Sequence, residues 1–304
     1  MKPAPPQPAI SIQGISKRYR GVAAVKNLNL DVAREEIFGF LGPNGAGKTT
    51  TLRILLDLIR PTSGQAFIFG DDCRARGLEA RAQVGYLPGE MGVYSDMTGR
   101  QVLDFLSGLT KRPADRKYQQ ELIERLELPE RDLRRSLRDY STGMKRKLGL
   151  IQAFQAEPPL LILDEPTDGL DPLMQEAFYE LLTDARRKGQ TVFMSSHVLP
   201  EVERVCDRIA LLRGGELVLL STINDVQRLA PRRVKVFFSQ DVSGTPELPP
   251  GYSMLQSLPR QWQVQVDGPF GPLLSVLASL PVHDIEIEQP RLEDVLVKYY
   301  EAAQ

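Results

Sequence analysis

Gly42-Pro-Asn-Gly-Ala-Gly-Lys-Thr-Thr50 is the stretch whose reading decides the fold of this chain. It fits G-x-x-x-x-G-K-[ST], with Gly42, Gly47, Lys48 and Thr49 at the fixed positions. Before it, Ile37-Phe-Gly-Phe-Leu41 reads as a buried strand; after it, residues 51–59 place apolar side chains at helical spacing. A loop between a strand and a helix is the setting in which this motif binds phosphate. Glycines let the backbone curl so that consecutive N–H groups point inward, and the helix N-terminus adds partial positive charge. The cradle comprises Gly42, Pro43, Asn44, Gly45, Ala46, Gly47, Lys48, Thr49 and Thr50. Lys48 is expected to reach the β- and γ-phosphates, and the Thr49 hydroxyl to ligate Mg²⁺. A Gly-rich turn with an incidental Lys-Thr is the bland alternative, and the strand–helix context weighs against it.

Downstream, Leu160-Leu-Ile-Leu-Asp164-Glu165-Pro166 is an apolar run ending in two carboxylates. It predicts a buried strand that delivers Asp164 to the carboxyl edge of the sheet, beside the phosphate loop. There Asp164 is expected to hold Mg²⁺, and Glu165 to polarise an attacking water as general base. Thr191-Val-Phe-Met194 predicts a neighbouring strand, and Ser195-Ser-His197 follows it. His197 at that edge can donate a hydrogen bond to a γ-phosphate, although a lone loop histidine often has no such role. Tyr140-Ser-Thr-Gly-Met-Lys-Arg-Lys-Leu148 opens a helix. Ser141 fits an N-cap, with the N–H groups of Thr142 and Gly143 and the basic residues behind them forming an anion site. A simple capped amphipathic helix reads equally well.

Upstream, Ile10-Ser-Ile12 and Leu28-Asn-Leu30-Asp-Val32 alternate around a polar break at residues 16–21, predicting an antiparallel pair of strands. Tyr19 falls on the turn between them, free either to stack on a purine or to pack on its own sheet. Residues 65–69 and 84–87 read as further strands, with a helix over about 71–82. From residue 97 to about 138 the pattern becomes amphipathic helices, with Val102, Leu103, Phe105 and Leu106 as one apolar stripe. A hairpin turning at Gly214-Gly215 closes the core. Past residue 230, alternation at 233–237 and 262–267 flanks a Pro-rich connection; a helix over 273–280, a strand over 284–288 and a helix over 291–302 follow. No internal repeat is found, and this last part shows no chemical constellation.

With 304 residues the chain has length for roughly two domains. A net charge of −1 argues against broad nucleic-acid or anionic-membrane affinity. No apolar run reaches the ~18–20 residues that span a bilayer. The Pro-rich residues 1–8 lack the apolar core of a signal peptide and are expected to be a disordered lead-in. Cys73 and Cys206 stand far apart, as ordinary reduced thiols do.

In this order, the motifs resemble those of ABC-type ATPases, the nucleotide-binding subunits of ABC transporters, over about residues 8–225. Residues 42–50 match the Walker A loop, 160–165 the Walker B strand, Ser141-Thr-Gly-Met-Lys145 the signature, Gly169-Leu-Asp-Pro172 the D-loop, His197 the switch histidine and Tyr19 the adenine-stacking aromatic. The resemblance implies an α/β fold: a P-loop NTPase core of ABC type with an antiparallel β subdomain and a helical insert, plus a small C-terminal α+β domain. The divisions are 1–8 for the lead-in, 9–228 for the ATPase with its insert at about 97–150, and 229–304 for the accessory domain. It further implies ATP and Mg²⁺ as cofactors, and a second ATPase copy stacked head to tail. Each ATP then lies between one phosphate loop and Ser141 and Gly143 of the other copy, with Asp171 at the nucleotide interface. The helical insert is expected to dock a transmembrane permease subunit, keeping the chain cytoplasmic and peripheral on the inner membrane face.

The Tyr140-Ser-Thr-Gly-Met form of the signature, and the ending Pro290-Arg-Leu-Glu-Asp-Val-Leu-Val-Lys298, resemble exporter ATPases for drugs, lipids or polysaccharides. The rival is a soluble ABC ATPase acting on DNA repair or ribosomes; the single cassette, the lack of a heptad run and the net charge disfavour it. One departure stands out. The family places Gln at the position of Gly89 in Tyr86-Leu-Pro-Gly-Glu90. Glu90, a hard oxygen ligand one residue on, is the expected partial substitute at the metal.

Overall fold

The computed structural model describes residues 7–90, 95–110, 112, 114–229, 231–242, 244, 246, 248–288, 292, 293 and 295. Two compact units divide the chain, residues 1–221 and 222–304. The division falls ahead of the expected boundary after residue 228, with the helix Ile223–Leu229 in the second unit.

The first unit begins with β1 (Ile10–Tyr19) and β2 (Val22–Val32), antiparallel as expected. β1 extends through the polar stretch to Tyr19, which pairs with Val22, so the turn is confined to Arg20 and Gly21. β3 (Ile37–Leu41) leads into the phosphate loop and α1 (Lys48–Leu55). β4 (Ser63–Ile68) and β5 (Asp71–Asp72) follow, then α2 (Gly77–Arg81) and β6 (Val84–Leu87). The helix expected over 71–82 is thus shorter: Asp71 and Asp72 pair with β4, and the Asp72 carboxylate accepts hydrogen bonds from the N–H groups of Arg74 and Ala75, a turn that delays the helix.

The insert comprises α3 (Gly99–Leu109), α4 (Arg116–Arg125) and α5 (Glu130–Leu133), then α6 (Thr142–Phe154). Thr98 and Gln101 form a capping box on α3. The stripe expected on α3 is only half buried: Val102 and Leu103 are enclosed, whereas Phe105 is 43% exposed. Phe105 lies two positions past Leu103, about 200° around the helix, so the two side chains leave on nearly opposite sides. The chain re-enters the core with β7 (Leu160–Asp164), α7 (Pro172–Arg187), β8 (Thr191–Ser196), α8 (Leu199–Val205), β9 (Arg208–Arg213) and β10 (Glu216–Thr222).

These strands form two sheets, an antiparallel one in the order β2-β1-β4-β5 and a second in the order β10-β9-β3-β8-β7-β6. From β9 to β6 the second sheet is parallel. β3, β7 and β8 are buried at every position, which is why they read as unbroken apolar runs. One core joins the two sheets, with Ile10, Leu28 and Ile68 from the first, Phe38, Phe40, Ile162 and Phe193 from the second, and Leu52 from α1. Parallel pairing brings the carboxyl ends of β3, β7 and β8 to one edge, and from there the chain continues into the phosphate loop, Asp164–Glu165 and Ser195–His197. Among the described residues no helix is long and apolar enough to cross a membrane.

The second unit contains α9 (Ile223–Leu229), β11 (Arg232–Phe238), β12 (Tyr252–Leu258), β13 (Gln261–Val266), α10 (Gly271–Leu277) and β14 (Val282–Glu288). Its sheet order is β12-β13-β11-β14, all antiparallel. Val234, Val236, Val264, Leu273 and Trp262 fill its core, with Phe238 set edge-on to Trp262 at 4.7 Å. β12 falls where the sequence suggests only a connection, because most of its positions are exposed on an edge and carry little alternation. The helix expected over 291–302 lies largely outside the described residues, as does most of the lead-in.

Candidate functional site

The phosphate loop closes a cleft of about 380 Å3 lined by Tyr19, Ala24, residues 43–50 and Glu165. The structure therefore brings Tyr19, the whole loop and Glu165 together. Gly47 holds φ +108°, and a Cβ there would lie 2.5 Å from the Ala24 carbonyl, so no other residue fits. α1 starts at Lys48 directly after the loop, with Gly47 as its N-cap, and a helix N-terminus offers N–H groups to an anion.

Lys48 is 5% exposed. Its Nζ donates to the Gly42 carbonyl at 2.6 Å and pairs with Glu165 Oε1 at 3.1 Å. The Thr49 hydroxyl donates to Asp164 Oδ2 at 3.1 Å. A hydroxyl and a carboxylate held this close, at a loop built for phosphate, are the hard oxygen donors that Mg²⁺ takes. Glu165 adopts φ 48°, a left-handed conformation that non-glycine residues enter at a cost and that clusters at functional sites. Its N–H donates to Ser195 Oγ at 3.1 Å, and its Oε2 lies 2.8 Å from His197 Nδ1. When Nδ1–H donates to Glu165, Nε2 can donate to a phosphate only if the imidazole is doubly protonated.

Of the remaining expected residues, Tyr19 lines the cleft and the others are placed elsewhere. Tyr19 ends β1, 44% exposed, with Lys17 Nζ 5.0 Å from its ring centroid. Ser141 caps α6 by accepting from the Met144 N–H at 3.2 Å; Ser141 and Gly143 stand outside the lining of the cleft. Asp171 caps α7, its carboxylate accepting from the Met174 N–H at 3.1 Å. Glu90 is exposed at the end of a described segment. A Cβ on Gly89 would lie 3.3 Å from Asp164 Oδ2, so a side chain at that position would start beside the Asp164 carboxylate.

Two residues escape the sequence reading. Ser195 Oγ donates to Asp164 Oδ1 at 2.6 Å while accepting from the Glu165 main-chain N–H, which ties the Asp164 carboxylate to the backbone at Glu165. The two strands place Ser195 directly opposite Asp164, a register that neither segment reveals alone. Arg146 belongs to the basic run expected to serve an anion site, yet it is buried and turned away from solvent. It shares the inward face of α6 with Leu150 and Ala153, spaced at helical intervals. Side-chain oxygen and nitrogen atoms of Glu165, Asp168 and His197 lie within 4.8 Å of one another, so a second carboxylate stands close to Glu165.

A family profile described as ABC transporter matches residues 25–168. An uncharacterized ABC transporter ATP-binding protein of Nostoc sp. is 40% identical over 208 residues, 67% of this chain and 62% of that protein, so the chain spans less than two thirds of its length. The bacitracin transport ATP-binding protein BcrA of Bacillus licheniformis is 37% identical over 213 residues, 69% of this chain and 68% of that one. Among solved structures, an ATP-binding subunit of an ABC transporter superposes with a TM-score of 0.67 at 29% identity, covering 72% of this chain and 92% of the other.

Proposed function

The chain belongs to the family of ABC transporter ATP-binding proteins, and from that premise we propose that it is the ATP-hydrolysing subunit of an exporter. The observation that carries the reading is the single cluster in which Lys48, Thr49, Asp164, Glu165 and His197 surround the phosphate loop. Once ATP is bound, Lys48 Nζ exchanges Glu165 Oε1 for phosphate oxygens. That frees one carboxylate oxygen of Glu165 to take a proton from water, while Oε2 stays against His197. Thr49 and Asp164 would hold Mg²⁺, which neutralises charge on the phosphates. Tyr19 offers its exposed face to the adenine. Two copies stack so that Ser141, Gly143 and Asp171 of one complete the site of the other, and closure and opening of this pair drive the membrane subunit. The signature form and the likeness to a bacitracin transport ATP-binding protein support transport over action on DNA or ribosomes.

On this reading the membrane subunit is assigned to a groove. A groove of about 410 Å3 runs between α2, β6 and the ends of α3 and α6, lined by Leu78, Ala82, Val84, Leu109, Ala153 and Pro158 among others. Leu78 and Leu109 are 76% and 67% exposed at its rim. The tagged chain is expected to recover a multi-spanning membrane protein from detergent-solubilised membranes. Leu78→Glu with Leu109→Glu is expected to lose it while ATP turnover persists. Recovery of ribosomes or nucleic acid, with nothing from the membrane, contradicts the transporter reading.

Glu90, one residue past Gly89, would supply an oxygen toward Mg²⁺ in place of the family's Gln. Glu90→Ala is expected to raise the Mg²⁺ needed for half-maximal turnover by roughly 10-fold. An unchanged Mg²⁺ titration removes Glu90 from the site.

A further inference from the structure

Arg146 is 6% exposed, yet no carboxylate pairs with it within salt-bridge distance among the described residues. Its guanidinium instead meets four main-chain carbonyls. Nε donates to Asp168 O at 3.2 Å, Nη1 to Pro88 O at 3.0 Å and to Asp164 O at 3.4 Å, and Nη2 to Gly89 O at 2.8 Å. Four of the five donors of a guanidinium are thus spent on two separate loops. A residue needed only to fill space would be apolar here. A buried cation is tolerated where its donors meet hydrogen-bond acceptors. Burial pulls the Arg146 pKa below its ordinary value, and the negative charges of Asp168, Asp164 and Glu165 oppose that.

The four carbonyls are not a random set. Asp164 and Asp168 bracket Glu165, whose left-handed backbone needs support from its surroundings. Pro88 and Gly89 form the loop that faces Asp164 from the other side. Gly89 has no side chain, so the distance of that loop from Asp164 is set through its main chain, and Arg146 holds that main chain.

We propose that Arg146 is a positioning residue for ATP hydrolysis, tying the Pro88–Gly89 loop to the Asp164–Asp168 segment so that Asp164 and Glu165 stay in register with metal and water. The proposal rests on the ATPase reading above. It places the control inside α6, the helix that also presents Ser141 and Gly143, so displacement of α6 shifts the catalytic loops with it.

The test uses the full chain with Arg146→Met and Arg146→Lys. Four quantities are measured: affinity for a fluorescent ATP analogue without Mg²⁺, kcat, the Mg²⁺ concentration at half-maximal turnover, and Tm. Arg146→Met is expected to keep its nucleotide affinity, because the phosphate loop lies on other elements. Its kcat is expected to fall roughly 10–100-fold and its Mg²⁺ requirement to rise, as when the support of a metal site is removed. Arg146→Lys, with three donors on one ammonium, is expected to recover part of both. Wild-type kcat and Mg²⁺ requirement in Arg146→Met overturn the proposal. So does a joint fall of kcat, nucleotide affinity and Tm with no change in the Mg²⁺ requirement and no rescue by Lys. Should Arg146→Met fail to fold, a wild-type kcat in Arg146→Lys overturns it, and a reduced kcat at unchanged affinity supports it. A wild-type chain that binds ATP without hydrolysing it would overturn the parent reading instead, and this proposal with it.

Discussion

Glu165→Gln is expected to slow ATP hydrolysis by roughly 10²–10⁴-fold, the span that a general base supplies, while ATP stays bound. Glutamine has nearly the shape of glutamate and keeps an oxygen for hydrogen bonding, but it cannot accept a proton from water. The surroundings that hold Glu165 survive the change: its N–H still donates to Ser195 Oγ, and the left-handed turn is a property of the main chain. The phosphate loop is untouched, so closure over ATP persists without the hydrolysis that ends it. Gel filtration with Mg·ATP should then show a dimer for Glu165→Gln. A variant that remains monomeric with ATP counts against the paired sites. One that hydrolyses ATP at the wild-type rate removes Glu165 from the chemistry.

Lys48→Ala is expected to reduce kcat/KM by roughly 10²–10³-fold, the loss typical of removing one preorganised donor at developing charge. Lys48 lies inside the phosphate loop at 5% exposure, so no flexible surface cation can replace it. The change also strips Glu165 of its ion pair at 3.1 Å. Glu165 then faces Asp168 with one less compensating charge, and negative charge accumulates where phosphates must enter. Weaker ATP binding should therefore accompany slower turnover, in contrast to Glu165→Gln, where binding is spared. Equal affinity for ATP in wild type and Lys48→Ala contradicts the placement of this ammonium.

The two effects differ because the residues stand at different levels of the sequence. Lys48 and Thr49 were legible from their own motif, since a phosphate loop is a local structure. Asp164 was legible because β7 is buried on both faces and ends in a carboxylate. Arg146 was not, because a basic side chain four residues into a helix looks like solvent-facing charge until α6 is packed against the two loops. Ser195 was not, because its partner is chosen by the pairing of β7 with β8. β12 was missed since an edge strand with one face open to water carries weak alternation. The sequence suggests a longer helix over 71–82 than forms, because its opening residues pair with β4 and turn on Asp72. What sequence conveys poorly here is relation between segments, and the catalytic register depends on such relations.

The release of inorganic phosphate from ATP by the purified chain, followed with and without Mg²⁺, tests the account most directly. Sustained release that depends on Mg²⁺, and that collapses in Glu165→Gln while bound ATP remains, is the expected result. ATP bound by the wild-type chain with no phosphate released above the Mg²⁺-free blank would contradict it.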